Sequence, residues 1–422
     1  MNSSNDSGRI RSLDVIRGIA VMGIFSVNVV AFAMIDSAYF NPSAYGGASG
    51  ASLFVWVANM LVIDGKMRSL FSMLFGASAL LVIEKAEAAG LNGRAVHLRR
   101  MAVLLGFGLV HYYLIWFGDI LTLYAVSGLV AFLFRRRPSY KLVILGSLFI
   151  AANMAFFAMF LAGQYQAELA AHAPHASRHA LEVWNDGMGS LEPSASDIAR
   201  DRALHLGSWT GFAAHNLARW GSVIGNTVIF IPETIGLMLI GMAAYRSGFL
   251  TGAWSDVQYR RAVGWGIGVG VVGSGAVAVA DLVSGFDPIV LVGALVVVAT
   301  PLITLQALGY AALIILLSRR GGAWWDRVAA AGRAAFSNYL GTSILASLIF
   351  YGWGLGLYGS VERWQAWLLA PLFWLVMLAW SKPWLERYRY GPLEWLWRSL
   401  SRGHLQPMRK PSAPRVAREG TA

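Results

Sequence analysis

The chain has 422 residues, of which 57% are hydrophobic and only 13% charged, whereas soluble domains run nearer half apolar and a quarter charged. It has no cysteine, which excludes disulfides and thiolate metal sites. The net charge of +12 invites a nucleic-acid partner, but the basic residues gather in short loops and in the tail, the footprint of a membrane protein, so no nucleic acid is expected.

Apolar runs of about 18 residues or more read as membrane helices. The expected fold is all-α, a polytopic transmembrane bundle of about ten spans in contact with the lipid bilayer. The spans predicted are 15–35, 66–84, 100–117, 119–134, 141–162, 222–245, 262–280, 289–317, 334–357 and 364–381. The first carries Arg17 and exceeds a signal-peptide core, so it reads as an uncleaved membrane helix. Segment 51–64 is apolar but short and reads as an interfacial helix. The domain division is a terminus over 1–14, five helices over 15–162, a loop over 163–221, five helices over 222–381 and a basic tail over 382–422.

Every second loop is basic, as with Arg94, Arg99 and Arg100, then Arg135, Arg136 and Arg137, then Arg319 and Arg320. The positive-inside bias then predicts both termini on the cytoplasmic side of a bacterial inner membrane. The long loop falls outside and is mildly acidic. Its His172, His175 and His179 are interrupted by Pro174 and read as solvated, so no metal site is expected. The stretch from Met408 onward is rich in Pro, Ser and Arg and reads as disordered.

Charged groups at membrane depth are costly and mark pathways or sites. In the first span Asp14 and Arg17 share a helix face. Asn28 follows Arg17 by about three turns, some 16 Å along the axis. The reading is a polar stripe lining a pathway, against a snorkelling Arg17 paired with Asp14. Arg68 opens the second span four residues after Asp64, a spacing suited to a pair. The third span places His111 in its outer half and closes on Gly118-Asp119, where Gly118 permits a sharp turn. An imidazole there can take or give a proton. In the sixth span Pro232 can kink the helix, and Glu233 falls near mid-membrane as a functional carboxylate or as partner to an arginine. The ninth span opens with Gly332-Arg333 and Ser337-Asn338-Tyr339. The tail segment from Gly391-Pro392 through Arg398 reads as a short amphipathic helix on the inner face.

Together these residues resemble the YeiB-type bacterial membrane proteins, a family of unknown function. The likeness rests on Arg11-Ser-Leu-Asp14-Val-Ile-Arg17-Gly18 with Asn28, and on Gly65-Lys66-Met67-Arg68-Ser-Leu-Phe-Ser-Met-Leu-Phe-Gly76. It also rests on Gly118-Asp119, Gly332-Arg333, Asn338-Tyr339 and Gly391-Pro392-Leu-Glu394-Trp-Leu-Trp-Arg398. The opening motif is similar, more distantly, to transmembrane acyltransferases of the heparan glucosaminide acetyltransferase kind. Bacterial enzymes that acylate surface glycans carry a histidine at the interval where this chain has Asn28.

That resemblance implies acyl transfer from cytoplasmic acyl-CoA to an extracytoplasmic glycan or lipid of the cell envelope. Asn28 cannot act as a base, so His111, with Asp119 nearby in sequence, or Glu233 would handle the proton. Asp14, Arg17, Asn28, Arg68 and Asn338 would bind substrate. The alternative from the residues alone is a transporter or flippase with a buried charged path. No inverted repeat of the kind common in transporters is visible, and nothing in the sequence fixes an oligomeric state.

Overall fold

The structure is a computed structural model that describes residues 10–410. Arg9 and residues 411–422 lie outside the described residues; of the stretch expected to be disordered from Met408 onward, Met408–Lys410 are described and instead pair with Arg387–Arg389. The molecule is helical, and among the described residues the one β contact is an isolated bridge between Tyr388 and Arg409. The principal helices are α1 (Arg11–Ala33), α2 (Gly50–Val62), α3 (Lys66–Ala88), α4 (Gly93–Leu114), α5 (Leu121–Ala131) and α6 (Ser139–Ala171). After the long loop come α7 (Ile231–Arg246), α8 (Asp256–Val283), α9 (Ala299–Ser318), α10 (Ala323–Arg333), α11 (Ala335–Phe350), α12 (Leu369–Arg387) and α13 (Pro392–Arg402).

Among the described residues, six helical stretches are long and apolar enough to cross a membrane: Arg11–Ala33, Gly50–Ala88, Ser139–Ala171, Asp256–Val283, Pro288–Ser318 and Arg363–Arg387. Two shorter apolar helices, Leu121–Phe134 and Ala335–Phe350, accompany them. The remaining expected spans fall on α4, whose first two turns carry Arg94, Arg99 and Arg100, and on the 16-residue α7. Segment 51–64 forms α2, which packs on α8 and places Trp56 and Met60 in a buried cluster with Val277 and Phe286. Pro232 does not kink a helix interior. Pro232 lies in the first turn of α7, after a separate short helix Ser222–Val228, where its missing N–H costs no hydrogen bond.

α1 is the hub, packing against α3, α9, α10, α11 and α12. Close approach is made possible by glycine. A Cβ on Gly18 would lie 2.1 Å from the Val328 carbonyl oxygen, and one on Gly332 would lie 1.8 Å from that of Asp14. α3 and α7 meet the same way through Gly76 and Gly241. Small residues at helix crossings are the packing mode of membrane bundles. The outer surface is apolar, with Met159, Trp265, Val272 and Val283 fully or largely exposed.

Side-chain contacts define two ends. At the basic end Arg11 bonds Ser318 O and Asp326, Arg246 bonds Arg137 O and Glu84, and Trp397 of α13 bonds Arg100 O. At the other, the loop end, Trp209 bonds Leu114 O, the Gly352 amide donates to His205 O, and the Gly359 amide donates to Ala33 O.

Candidate functional site

Asp119 sits in the tight connection between α4 and α5. Its carboxylate accepts the Leu121 and Thr122 amides at 3.1 and 2.7 Å, closing the first turn of α5. It also meets His111 Nδ1 at 2.9 Å, with both side chains fully buried. In the neutral imidazole, a carboxylate partner places the proton on Nδ1 and the lone pair on Nε2. Nε2 is buried and makes no hydrogen bond among the described residues. Trp116 and Tyr339 wall it, with ring centroids 6.2 and 5.3 Å from the imidazole. Trp116 in turn stacks on Phe32 of α1 at 4.2 Å. The need for glycine at 118 is contact rather than turn geometry, because a Cβ there would sit 2.3 Å from the Trp116 ring.

Arg68 does not pair with Asp64. Its Nη2 reaches across to Glu233 at 2.9 and 3.1 Å, joining α3 to the first turn of α7. Glu233 is therefore an arginine partner. The Arg68 carbonyl also receives the hydroxyls of Ser72 and Tyr124. Tyr124 lies on α5, five residues after Asp119, so one short helix carries both the dyad's anchor and a contact to Arg68. Asp64 instead accepts the Tyr39 hydroxyl at 3.1 Å. The Lys66 ammonium is buried against Met60 O.

Nearer the basic end, Arg17 meets Asp14 at 3.1 Å and the Ser78 hydroxyl at 2.7 Å. Asn28, toward the loop end of α1, is half-buried and makes no side-chain hydrogen bond among the described residues. Asn338 takes no part in these clusters. Its amide donates to Ala331 O and Ser381 and its oxygen accepts from Trp380, which clamps α10, α11 and α12 together.

The sequence reading missed two clusters. The first is a cleft with about 30 Å³ of free space, lined by Tyr39, Asn59, Asp64, Asp281 and Arg363 among others. That is room for about two waters. Asp281 lies just past the expected span 262–280 and Arg363 just before 364–381, so hydropathy places neither inside a span. The signal that would have found Asp281 is the face Gly266, Gly270, Ser274, Ala278 and Asp281, a small-residue packing stripe ending in a carboxylate.

The second cluster lies in the long loop. His205 Nδ1 bonds Asp201 O at 3.0 Å and stands 3.4 Å from its carboxylate, its ring stacks on Tyr358 at 4.3 Å, and Tyr358 donates its hydroxyl to Asp201. Burial opposes charge on His205, but the hydrogen bonds and charge of Asp201, with the charge of Asp36, outweigh it and raise the imidazole above its ordinary value. His172, His175 and His179 are all exposed. Among the described residues no three His, Cys, Asp or Glu form a metal-holding group.

A sequence model described as "Protein of unknown function (DUF418)" matches residues 244–404. The chain is 32% identical over 418 residues to the uncharacterized protein YxaH of Bacillus subtilis (strain 168), covering 95% of this chain and 96% of that protein. It is 29% identical to the uncharacterized protein YeiB of Escherichia coli (strain K12), over 92% of this chain and 95% of that one. It is 24% identical to an uncharacterized 39.9 kDa protein in the amylase 3' region of Bacillus acidopullulyticus, over 93% and 94%.

Proposed function

The chain belongs to the YeiB-type family of membrane proteins, and from its site we propose that it is a transmembrane acyltransferase. The donor is an acyl-CoA bound at the basic end, and the acceptor is a hydroxyl or amine of an envelope glycan or lipid at the loop end. The observation that carries this reading is the His111–Asp119 dyad with an unengaged Nε2. A carboxylate that fixes the tautomer of a histidine whose other nitrogen is free is the arrangement a general base needs.

In the proposed step, Nε2 takes the acceptor's proton as the acceptor attacks the thioester carbonyl. A C–O or C–N bond forms, the C–S bond breaks, and the imidazolium returns the proton to the departing thiolate. Arg68 spends only Nη2 on Glu233, so Nη1 and the unengaged Asn28 are the donors proposed for the developing oxyanion. Arg17 and the basic loops would bind the phosphates of the donor. Because Nε2 is buried, an acceptor reaches it in this proposal only when a neighbouring ring such as Trp116 or Tyr339 moves. The stripe expected on α1 is largely paired off, Asp14 with Arg17, and Glu233 is spent on Arg68, which weighs against a mobile charged path for transport.

The proposed setting is a bacterial inner membrane crossed ten times, with both termini and the basic end cytoplasmic. The contacts at the two ends support it. Glu84, Arg137 and Arg246 meet at one end while Leu114 and His205 are held at the other, so α4, α5 and α7 traverse the bundle along with the six longer stretches. α11 also runs from the basic end to the loop end.

The test uses the purified chain with acetyl-CoA. Saturable binding is expected in the wild type, weakened about tenfold or more in Arg17→Ala, and retained in His111→Gln. Release of the CoA thiol in the presence of an envelope extract is expected to fall by about 10²–10⁴ in His111→Gln. A folded wild type that binds no acetyl-CoA, or thiol release indifferent to His111, sinks the reading.

A further inference from the structure

Asp281 stands apart from the acyl-transfer chemistry. It lies on the inward face of α8, one helical turn below Ala278 and two below Ser274, and its side chain is completely enclosed. Neither carboxylate oxygen has a hydrogen-bond partner among the described residues. The carboxylate lines the cleft together with Asn59, Asp64 and Tyr39.

Asp64 and Lys66 have other partners, and Arg363 is only partly engaged. Asp64 accepts from Tyr39 and has Lys66 nearby in sequence and in charge. Lys66 is turned onto Met60 O. Arg363 donates through Nη2 to Ala38 O at 2.6 Å, its Nε is buried without a hydrogen-bond partner among the described residues, and it forms no hydrogen bond or ion pair with Asp281 there. Asp281 is left as a carboxylate without a counter-charge in contact, in a place where a bare charge costs several kcal/mol.

We infer that Asp281 is the anchor of a small monovalent cation site, of sodium size, in the cleft between α2, α8 and the turn leading into α9. Three features fit that occupant. The wall offers oxygen donors, namely the Asp281 carboxylate, the Asp64 carboxylate and the Asn59 side-chain oxygen, which accepts one bond from Trp367 and keeps a second lone pair. Hard cations take such ligands. The free space of about 30 Å³ admits a small ion with a water and excludes an organic ammonium. The helix that closes the cleft through Leu291 and Leu295 contains a π-helical turn, Gly293–Val298, a local unwinding that recurs at functional sites.

The experiment is thermal unfolding of the purified full chain in detergent, followed by tryptophan fluorescence at constant ionic strength with sodium exchanged for choline. Sodium is expected to raise the wild-type Tm saturably, by about 4 °C at a hundredfold excess over its Kd. Asp281→Asn is expected to lose that response and to be at least as stable as wild type in choline, since the uncompensated charge is gone. Asn59→Ala, which leaves Asp281 in place, is expected to shift half-saturation about tenfold and keeps the test decisive if Asp281→Asn does not fold. A wild type indifferent to sodium overturns the site, as does an equal response in Asp281→Asn. Stabilisation by acid alone overturns it too, and would assign the group to a proton.

Discussion

Arg68 and Glu233 are unequal partners. The Glu233 side chain is 4% exposed and that of Arg68 33%, and Arg68 also lies over the Phe230 ring. Removing the arginine strands a buried carboxylate, while removing the glutamate leaves a cation with a route to water. Breaking a fully buried pair costs about 3–5 kcal/mol, and the exposure of Arg68 reduces that here. Arg68→Met is therefore expected to cost about 2–3 kcal/mol and Glu233→Leu less, with the double variant recovering most of the loss, as read by denaturant unfolding in detergent. His205 gives a pH-dependent counterpart. Its folded pKa lies above the ordinary 6.5, so its contribution is complete below about pH 6.5 and fades as pH rises through the folded value. Proteolysis of the long loop should accelerate in the wild type as pH rises above about 6.5, and His205→Gln should flatten that dependence. The sequence made Arg68, Glu233 and His111 visible because a charge or imidazole inside an apolar run stands out. Partner choice was not visible. Asp64 lies at the right helical spacing for Arg68, yet Tyr39 claims it, and only the fold brings Glu233 across from 165 residues away.

At the scale of helices, the contacts that decide packing are backbone to backbone. A Cβ on Gly241 would stand 2.0 Å from Met73 O, and one on Gly76 would stand 2.2 Å from Met238 O. A carbonyl cannot rotate aside as a side chain can, so α3 and α7 would have to separate. Gly241→Ala is expected to destabilise by about 1–3 kcal/mol or more, whereas Gly268→Ala, with nothing within 4 Å, should be neutral or slightly stabilising in the same thermal assay. α13 shows which elements a sequence announces. Gly391-Pro392 followed by an amphipathic aromatic run predicts a short helix, and Pro392–Arg402 forms it. What periodicity does not convey is its docking. Glu394 accepts the Phe336 and Ser337 amides and the Ser337 hydroxyl, capping α11, while Trp397 lies under Arg100. The same limit explains 222–245, read as one span. Hydropathy is continuous there, and the break at Ile229–Phe230 before Pro232 is written in backbone geometry rather than in polarity.

For the whole molecule, hydropathy and packing disagree about how many times the chain crosses. Counting only the six long apolar stretches puts the start of α8 on the same side as the long loop. Ala323 would then lie on that side as well. The contacts oppose this, because Arg11 at the start of α1 bonds both Ser318 at the end of α9 and Asp326 of α10, which holds Ala323 at the basic end. Under the proposed ten crossings, α5 and α7 would be short because neighbouring helices cover much of their surface. The 16 residues of α7 span about 24 Å, less than the roughly 30 Å of hydrocarbon, and most of α7 is buried against α3 and α6. A helix sheathed in protein need not match the bilayer by itself. The chain contains no cysteine, so single cysteines report its topology without any native thiol to remove. Ala199→Cys in the long loop, Ala89→Cys after α3 and Ala323→Cys before α10 are all exposed positions. With ten crossings, an impermeant maleimide applied to intact spheroplasts should label Ala199→Cys alone, and Ala89→Cys and Ala323→Cys should label only after permeabilisation. Labelling of Ala323→Cys together with Ala199→Cys in intact spheroplasts would restore the six-crossing count. It would also separate Arg17 from the basic loops expected to share its donor.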